Sequence, residues 1–317
     1  KRRRLPWAVS HRTGPSGYDR RFAAMQPDPM QSLWMIAASL LFACMGVCVK
    51  LGSALFSAGE MVFARGLVGV LMMVLLARLQ GVRLATPLWR LQLARGLSGS
   101  FALICYFVAI GLLPLATAVT LSYTSPIFVA LLLAAFFGEP LRLRALLAVG
   151  AGFVGIVLLL RPTLQADQWF GALVGLGAGL VSSLAYVSVR ELGRAGEPEV
   201  RTVFWFSALT AVLGLPWTLS GGLATSLDLH AVAILLGIGL FGGCAQLAMT
   251  RAYRLGKTLV SASLAYTTVV FASLFGLLLW DETLPASALA AIALIVASGL
   301  MTSLATRSAA AAPRRGN

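Results

Sequence analysis

The chain is 317 residues long, 59% hydrophobic and 11% charged, with a formal net charge of +14 and a mean hydropathy of +0.87. A soluble domain gives about a quarter of its residues to charge, so a water-soluble globule is excluded and an all-α polytopic membrane protein is expected. The Lys and Arg lie in short clusters between apolar runs, with no basic face or aromatic-interleaved groove, so they encode membrane topology rather than nucleic-acid binding.

Residues 1–31 open with KRRRLPWAVSHRTGPSGYDRR. They are expected to form a basic, disordered tail, since they have neither helical periodicity nor the pattern of a secretory signal. Met25 and Met30 are natural starts. A membrane helix needs about 20 mostly apolar residues, and ten stretches qualify: 32–52, 57–77, 95–113, 116–137, 143–160, 171–189, 203–220, 230–250, 259–280 and 285–305. Their connections are short, and residues 306–317 form a second tail. With the N-terminus in the cytoplasm, all of the 25 Lys and Arg except Lys50, Arg161 and Arg65 fall on the cytoplasmic side, with Arg78, Arg83, Arg90 and Arg95 counted in the loop before the third stretch. That bias predicts both termini cytoplasmic, in a bacterial inner membrane.

The fifth stretch contains Gly150-x-Gly152-x-x-Gly155, the glycine spacing of a dinucleotide-binding turn. A nucleotide site needs a preceding strand and an acid about 20 residues further on. Here the run is unbroken and apolar, and the same spacing recurs at Gly237, Gly239 and Gly242. These glycines are expected to let helices approach closely, as are Gly171, Gly175 and Gly179. Cys44, Cys48, Cys105 and Cys244 lie in apolar runs without the histidine company of a metal site. No metal and no cofactor are expected.

The chain also resembles itself. LSYTSPIFVALLLAAFFGEPL (121–141) aligns without gaps on LAYTTVVFASLFGLLLWDETL (264–284), matching Tyr123 to Tyr266, Thr124 to Thr267 and Glu139 to Glu282. EMVFARGLVGVL (60–71) lies over RTVFWFSALTAV (201–212), and VCVK (47–50) over VSVR (187–190). The predicted architecture is ten transmembrane helices in two five-helix repeats, 32–160 and 171–305. Five is odd, so the second repeat must be inverted, as in many secondary transporters, whose site lies near the midplane. Ten spans, two repeats and the paired 121–141 and 264–284 segments resemble the two EamA domains of the drug/metabolite transporter superfamily. The resemblance runs from residue 33 to residue 303. It implies a carrier with a central cavity between its halves, and members that move amino acids, other metabolites, nucleotide sugars or drugs. The related small multidrug carriers hold a glutamate in their first helix. Stretches 32–52 and 171–189 contain no acid, which argues against proton-coupled efflux of cationic drugs by that route.

Arg65 is the leading candidate for substrate binding. It lies deep in the second stretch, where a charge is costly and suggests function, and its repeat counterpart is Phe206. It suits the carboxylate of an anionic or zwitterionic solute, the competing role being a permanent interhelix pair. Tyr106, Tyr123, Thr124, Tyr186, Gln246, Tyr266 and Thr267 are polar groups within apolar stretches, read either as solute contacts or as interhelix hydrogen bonds. Glu60 is expected to pair with Lys50 or reach the interface, and Glu139 and Glu282 to cap or tether following helices. Pro126 is expected to kink one repeat only, and Trp205 to contact lipid. The predicted function is metabolite export by alternating access, by a monomer or homodimer, with a small-molecule solute and the bilayer as partners. Alternatives are a multidrug or cationic-compound efflux carrier, or an integral-membrane enzyme. The scattered acids offer no catalytic constellation, and without a Walker sequence the energy must come from a gradient.

Overall fold

The computed structural model describes residues 29–113, 115–137, 143–160, 165–221, 228–281 and 288–307. After a 3-10 turn at Pro29–Leu33, the described residues form α1 (Trp34–Gly52), α2 (Ala58–Gln80), α3 (Trp89–Leu112), α4 (Leu115–Ser122), α5 (Ser125–Phe137) and α6 (Leu143–Leu160). They continue with α7 (Trp169–Arg194), α8 (Glu199–Gly221), α9 (Leu229–Leu255), α10 (Thr258–Leu264), α11 (Thr267–Trp280) and α12 (Ala288–Arg307). Seven helical runs among the described residues are long and apolar enough to cross a membrane, and Leu143–Leu158 and Ala290–Thr302 are shorter apolar helices. Leu71, Leu75 and Leu79 follow one face of α2 at one-turn spacing and are 61%, 58% and 74% exposed. Such an outward leucine stripe suits lipid, not water.

The fourth and ninth predicted stretches are each broken. α4 gives way to α5 at Tyr123–Thr124, and α10 to α11 at Ala265–Tyr266, so the breaks fall within one residue of the aligned Tyr123/Tyr266 position. At each break a threonine hydroxyl donates back to a carbonyl three residues earlier: Thr124 Oγ1 to Leu121 O (2.6 Å) and Thr267 Oγ1 to Leu264 O (2.7 Å). Pro126 therefore does not act as an isolated kink. It sits in the first turn of α5, where its missing N–H costs nothing, and α11 breaks at the matching place without a proline. Glu139 and Glu282 lie outside the described residues.

Several helix contacts come in matched pairs when the first five stretches are exchanged for the second five. α3 packs on α7 as α9 packs on α1, and α5 packs on α7 as α11 packs on α1. Two repeat-related helices pack directly on each other, α2 on α8 and α6 on α12. Along the first seam a Cβ added to Gly59 would meet Trp217 and Thr218, one on Gly66 would meet Ala211, and one on Gly69 would meet Ser207. Residue numbers rise in α2 as they fall in α8, so the two helices are antiparallel.

The glycines of the nucleotide-like motif are packing positions. A Cβ on Gly152 would strike Ser298 and Tyr266, and one on Gly155 would strike Ile295 and the Ala291 carbonyl, whereas Gly150 faces open space. Gly152→Ala is therefore expected to lower the melting temperature in detergent clearly, while Gly150→Ala leaves it unchanged or slightly raised, since alanine favours helix over glycine by about 1 kcal/mol.

One end of the bundle is tied by polar side chains. The sequence RAGEP stops α7 at Gly196, whose φ of 81° suits glycine, and Glu197 N donates to Leu192 O (3.0 Å) in the same turn. That turn aims Glu197, 4% exposed, at three donors. Thr86 Oγ1 donates at 2.6 Å, Gln92 Nε2 at 3.2 Å and Arg201 Nη1 at 3.0 Å. Arg201 Nε also donates to Arg83 O (2.6 Å), and Trp205 Nε1 to Leu84 O (3.1 Å). Trp205 thus clasps the α2–α3 connection rather than simply facing lipid. Arg254 pairs with Glu199 at 2.7 Å, next to the Ser32–Lys257 contact. Glu197→Ala is expected to destabilise by about 3 kcal/mol, because it strands three donors built around one buried carboxylate; denaturant titration in detergent reads the loss.

Candidate functional site

The depth of Arg65 is set by the start of α2. Ser57 and Glu60 form a capping box: Ser57 Oγ accepts from Glu60 N at 3.3 Å, and Ser57 N donates to Glu60 Oε2 at 2.8 Å. Glu60 is thereby engaged in fixing the helix start. Arg65 follows two turns later, about 10 Å further in at 1.5 Å per residue.

A second arginine joins it. The third helix starts at Trp89, not near residue 95, because Thr86 and Pro87 end the preceding loop and Thr86 Oγ1 accepts from Leu88 N at 3.0 Å. Arg95 is therefore not a loop charge. It lies in the second turn of α3, 2% exposed. Its guanidinium carbon is 4.5 Å from the Phe206 ring centroid, and that of Arg65 is 5.3 Å from the same ring, both within cation–π range. The repeat counterpart of Arg65 is thus its neighbour across the α2–α8 seam.

Gln246 in α9, 7% exposed, completes the group by accepting from Arg95 Nη2 at 3.2 Å. Arg65 and Gln246 line a small cleft with Phe206, Ser207 and Thr210. Gly66, Gly242 and Gly243 supply the rest of its wall, and an added Cβ at these positions would meet Ala211, Arg65 and Met72 respectively. Ser100 Oγ and Thr210 Oγ1 share a hydrogen bond of 3.1 Å beside it. Among the described residues, Arg65 Nε and Arg95 Nε and Nη1 are buried without hydrogen-bond partners. Neither guanidinium is within ion-pair distance of a carboxylate among the described residues. Positive charge and buried donors therefore lie together at this recess.

The tyrosines gather alongside. Tyr123 and Tyr266 face each other across the two helix breaks with ring centroids 6.4 Å apart. Tyr186 stacks on Tyr253 at 5.1 Å with 12° between ring planes. Tyr186 is also within electrostatic reach of Arg95, and Tyr106 of Tyr123. The hydroxyls of Tyr253 and Tyr266 are buried without hydrogen-bond partners among the described residues.

Of the residues singled out from the sequence, Arg65 and Gln246 share the cleft, and Tyr186 sits beside Arg95. Tyr106, Tyr123 and Tyr266 form an adjoining cluster, and Thr124 and Thr267 bond to their own helix breaks. Arg95, Phe206, Ser207, Thr210 and Tyr253 were not singled out. The Thr-Pro helix-start signal was available for Arg95; nothing in the sequence alone marks the others.

The EamA-like transporter family model matches residues 30–161 and again residues 169–304. The chain belongs to the EamA-like transporter family. This EamA-like protein is accordingly an integral membrane transporter of the drug/metabolite type. It is 32% identical over 264 residues to a pseudopaline exporter of Pseudomonas aeruginosa, covering 83% of this chain and 92% of that one. It is 28% identical over 228 residues to a riboflavin transporter of Rhizobium johnstonii, covering 70% of this chain and 74% of the relative. A solved crystal structure, 22% identical, superposes with a TM-score of 0.77 over 88% of the EamA-like chain and 98% of its own. That likeness concerns the fold.

Proposed function

We propose that this protein is a ten-helix secondary carrier that exports a small anionic or zwitterionic metabolite by alternating access. In this reading α4–α5 and α10–α11 each form one broken span, and residues 32–160 and 171–305 are five-helix repeats of opposite orientation. The antiparallel α2–α8 seam, the matched helix contacts and the coincident breaks support it, as do the two separate family matches. Broken helices that meet near the midplane are a recurrent feature of transporter sites. Arg65, Gln246 and the tyrosines at 106, 123, 186 and 266 would contact the solute, with Thr124 and Thr267 supporting the breaks. Both termini would be cytoplasmic in a bacterial inner membrane, since the ends of α2, α7 and α9 bring the basic residues to one side.

The observation that carries the reading is Arg65, a charge two turns into a membrane helix whose buried Nε has no hydrogen-bond partner among the described residues and which lines a small cleft. The export direction rests on the similarity to a pseudopaline exporter. The test is counterflow in proteoliposomes with labelled amino acids, organic acids, riboflavin and a lipophilic cationic dye. Exchange of carboxylate-bearing solutes, lost in Arg65→Ala, is expected. Exchange of the cationic dye alone would overturn the anionic reading and favour multidrug efflux.

A further inference from the structure

Two arginines on one aromatic ring is more positive charge than a single carboxylate calls for. Like charges side by side in the membrane interior are unfavourable unless something of opposite sign joins them. No carboxylate among the described residues does so. Among the described residues the Arg95 guanidinium bonds only the Gln246 amide oxygen, at 3.2 Å, and its Nε and Nη1 have no partner. A neutral amide is a weak substitute for a carboxylate at that position. Gln246 borders the cleft that Arg65 lines and bonds Arg95 behind it, so an anion that displaces the Gln246 side chain meets the second guanidinium.

We propose that the transported solute carries two carboxylates, one taken by Arg65 and the other by Arg95. The second carboxylate displaces the Gln246 oxygen from Arg95 and frees the Gln246 amide to donate to the solute. Both guanidiniums lie against Phe206, at 5.3 and 4.5 Å from its centroid, so a short carbon chain between the carboxylates is enough to reach both. Each guanidinium offers the planar fork that matches a carboxylate. Arg95 acts here as a specificity residue. It rewards the second negative group, while Arg65 receives the first. The inference rests on the anionic-solute reading of the same cleft.

The test compares glutarate with butyrate, matched in apolar length, for binding to the purified full-length protein by isothermal titration calorimetry, with inorganic phosphate in parallel. Glutarate is expected to bind at least about tenfold more tightly than butyrate, the gain of one further hydrogen-bonded charge. Arg95→Gln should bring that ratio close to one, and Arg95→Lys, which keeps charge without the fork, should restore part of it. Should Arg95→Gln fail to purify as a folded protein, the wild-type ratio and the Lys variant decide alone. Equal affinities for the two acids, an unchanged ratio in Arg95→Gln, or phosphate binding as tightly as glutarate would each overturn the dicarboxylate inference while leaving an anion carrier standing. Absence of any binding by carboxylates, with binding of a lipophilic cation, would overturn the underlying reading instead.

Discussion

Arg65→Ala is expected to abolish transport, by roughly 100-fold or more, while the protein still accumulates in the membrane at its normal level. The two effects separate because of what Arg65 lacks. Removing one member of a buried ion pair leaves its partner stranded and destabilises by several kcal/mol, but here no carboxylate among the described residues would be stranded. What disappears is a buried cation with an unpartnered Nε, together with its stacking on Phe206 at 5.3 Å. The stacking is worth about 1 kcal/mol, a small part of the total. Bonds from a guanidinium to a carboxylate are worth about 1.5–3 kcal/mol each, and a fork makes two. Solute flux in proteoliposomes and in-gel abundance measure the two quantities separately. A large fall in melting temperature together with retained flux would instead make Arg65 a structural cation.

Gly66→Val is expected to prevent recovery of folded protein. An added Cβ at Gly66 would sit 2.5 Å from the Ala211 amide nitrogen and 2.7 Å from its Cα. Both are backbone atoms of α8, so no side-chain rotation relieves the clash, and α2 and α8 must move apart along their whole shared seam. Overpacking that moves only side chains costs about 1–3 kcal/mol, and separating two backbones costs more than that, against a total stability of about 5–15 kcal/mol. Gly46→Val provides the control, because nothing lies within 4 Å of that position. Fluorescence-detected size-exclusion of tagged variants in detergent reads the contrast: a monodisperse peak for Gly46→Val and aggregate for Gly66→Val.

The membrane class was legible because apolar run length is a direct physical requirement of lipid. The role of Gly152 and Gly155 was legible because a nucleotide turn needs a strand and an acid that the sequence lacks. Arg65 stood out by depth alone. Arg95 did not, because counting apolar residues started the third helix near 95, whereas a Thr-Pro turn and polar helix residues start it at Trp89. The breaks at Tyr123–Thr124 and Ala265–Tyr266 were hidden for a related reason. A run of apolar residues reads as continuous helix, and only three-dimensional packing, such as the close approach of Gly179 to the Leu121 and Ser122 carbonyls, shows where the chain is let go. Phe206, Ser207 and Thr210 were ordinary residues of one stretch until the seam placed them opposite Arg65. Pairing between distant helices is what local sequence does not carry.

At Gly69 the missing side chain and the Ser207 hydroxymethyl occupy one another's room, since an added Cβ would lie 2.6 Å from Ser207 Oγ. Volume at that level belongs jointly to both halves of the molecule, so each half constrains what its twin is free to become. Exchanging the two residues, Gly69→Ser with Ser207→Gly, should fold better than Gly69→Ser alone, a compensation readable in the same chromatographic assay. Two segments that interlock in this way accept a change of volume in one only with the reciprocal change in the other.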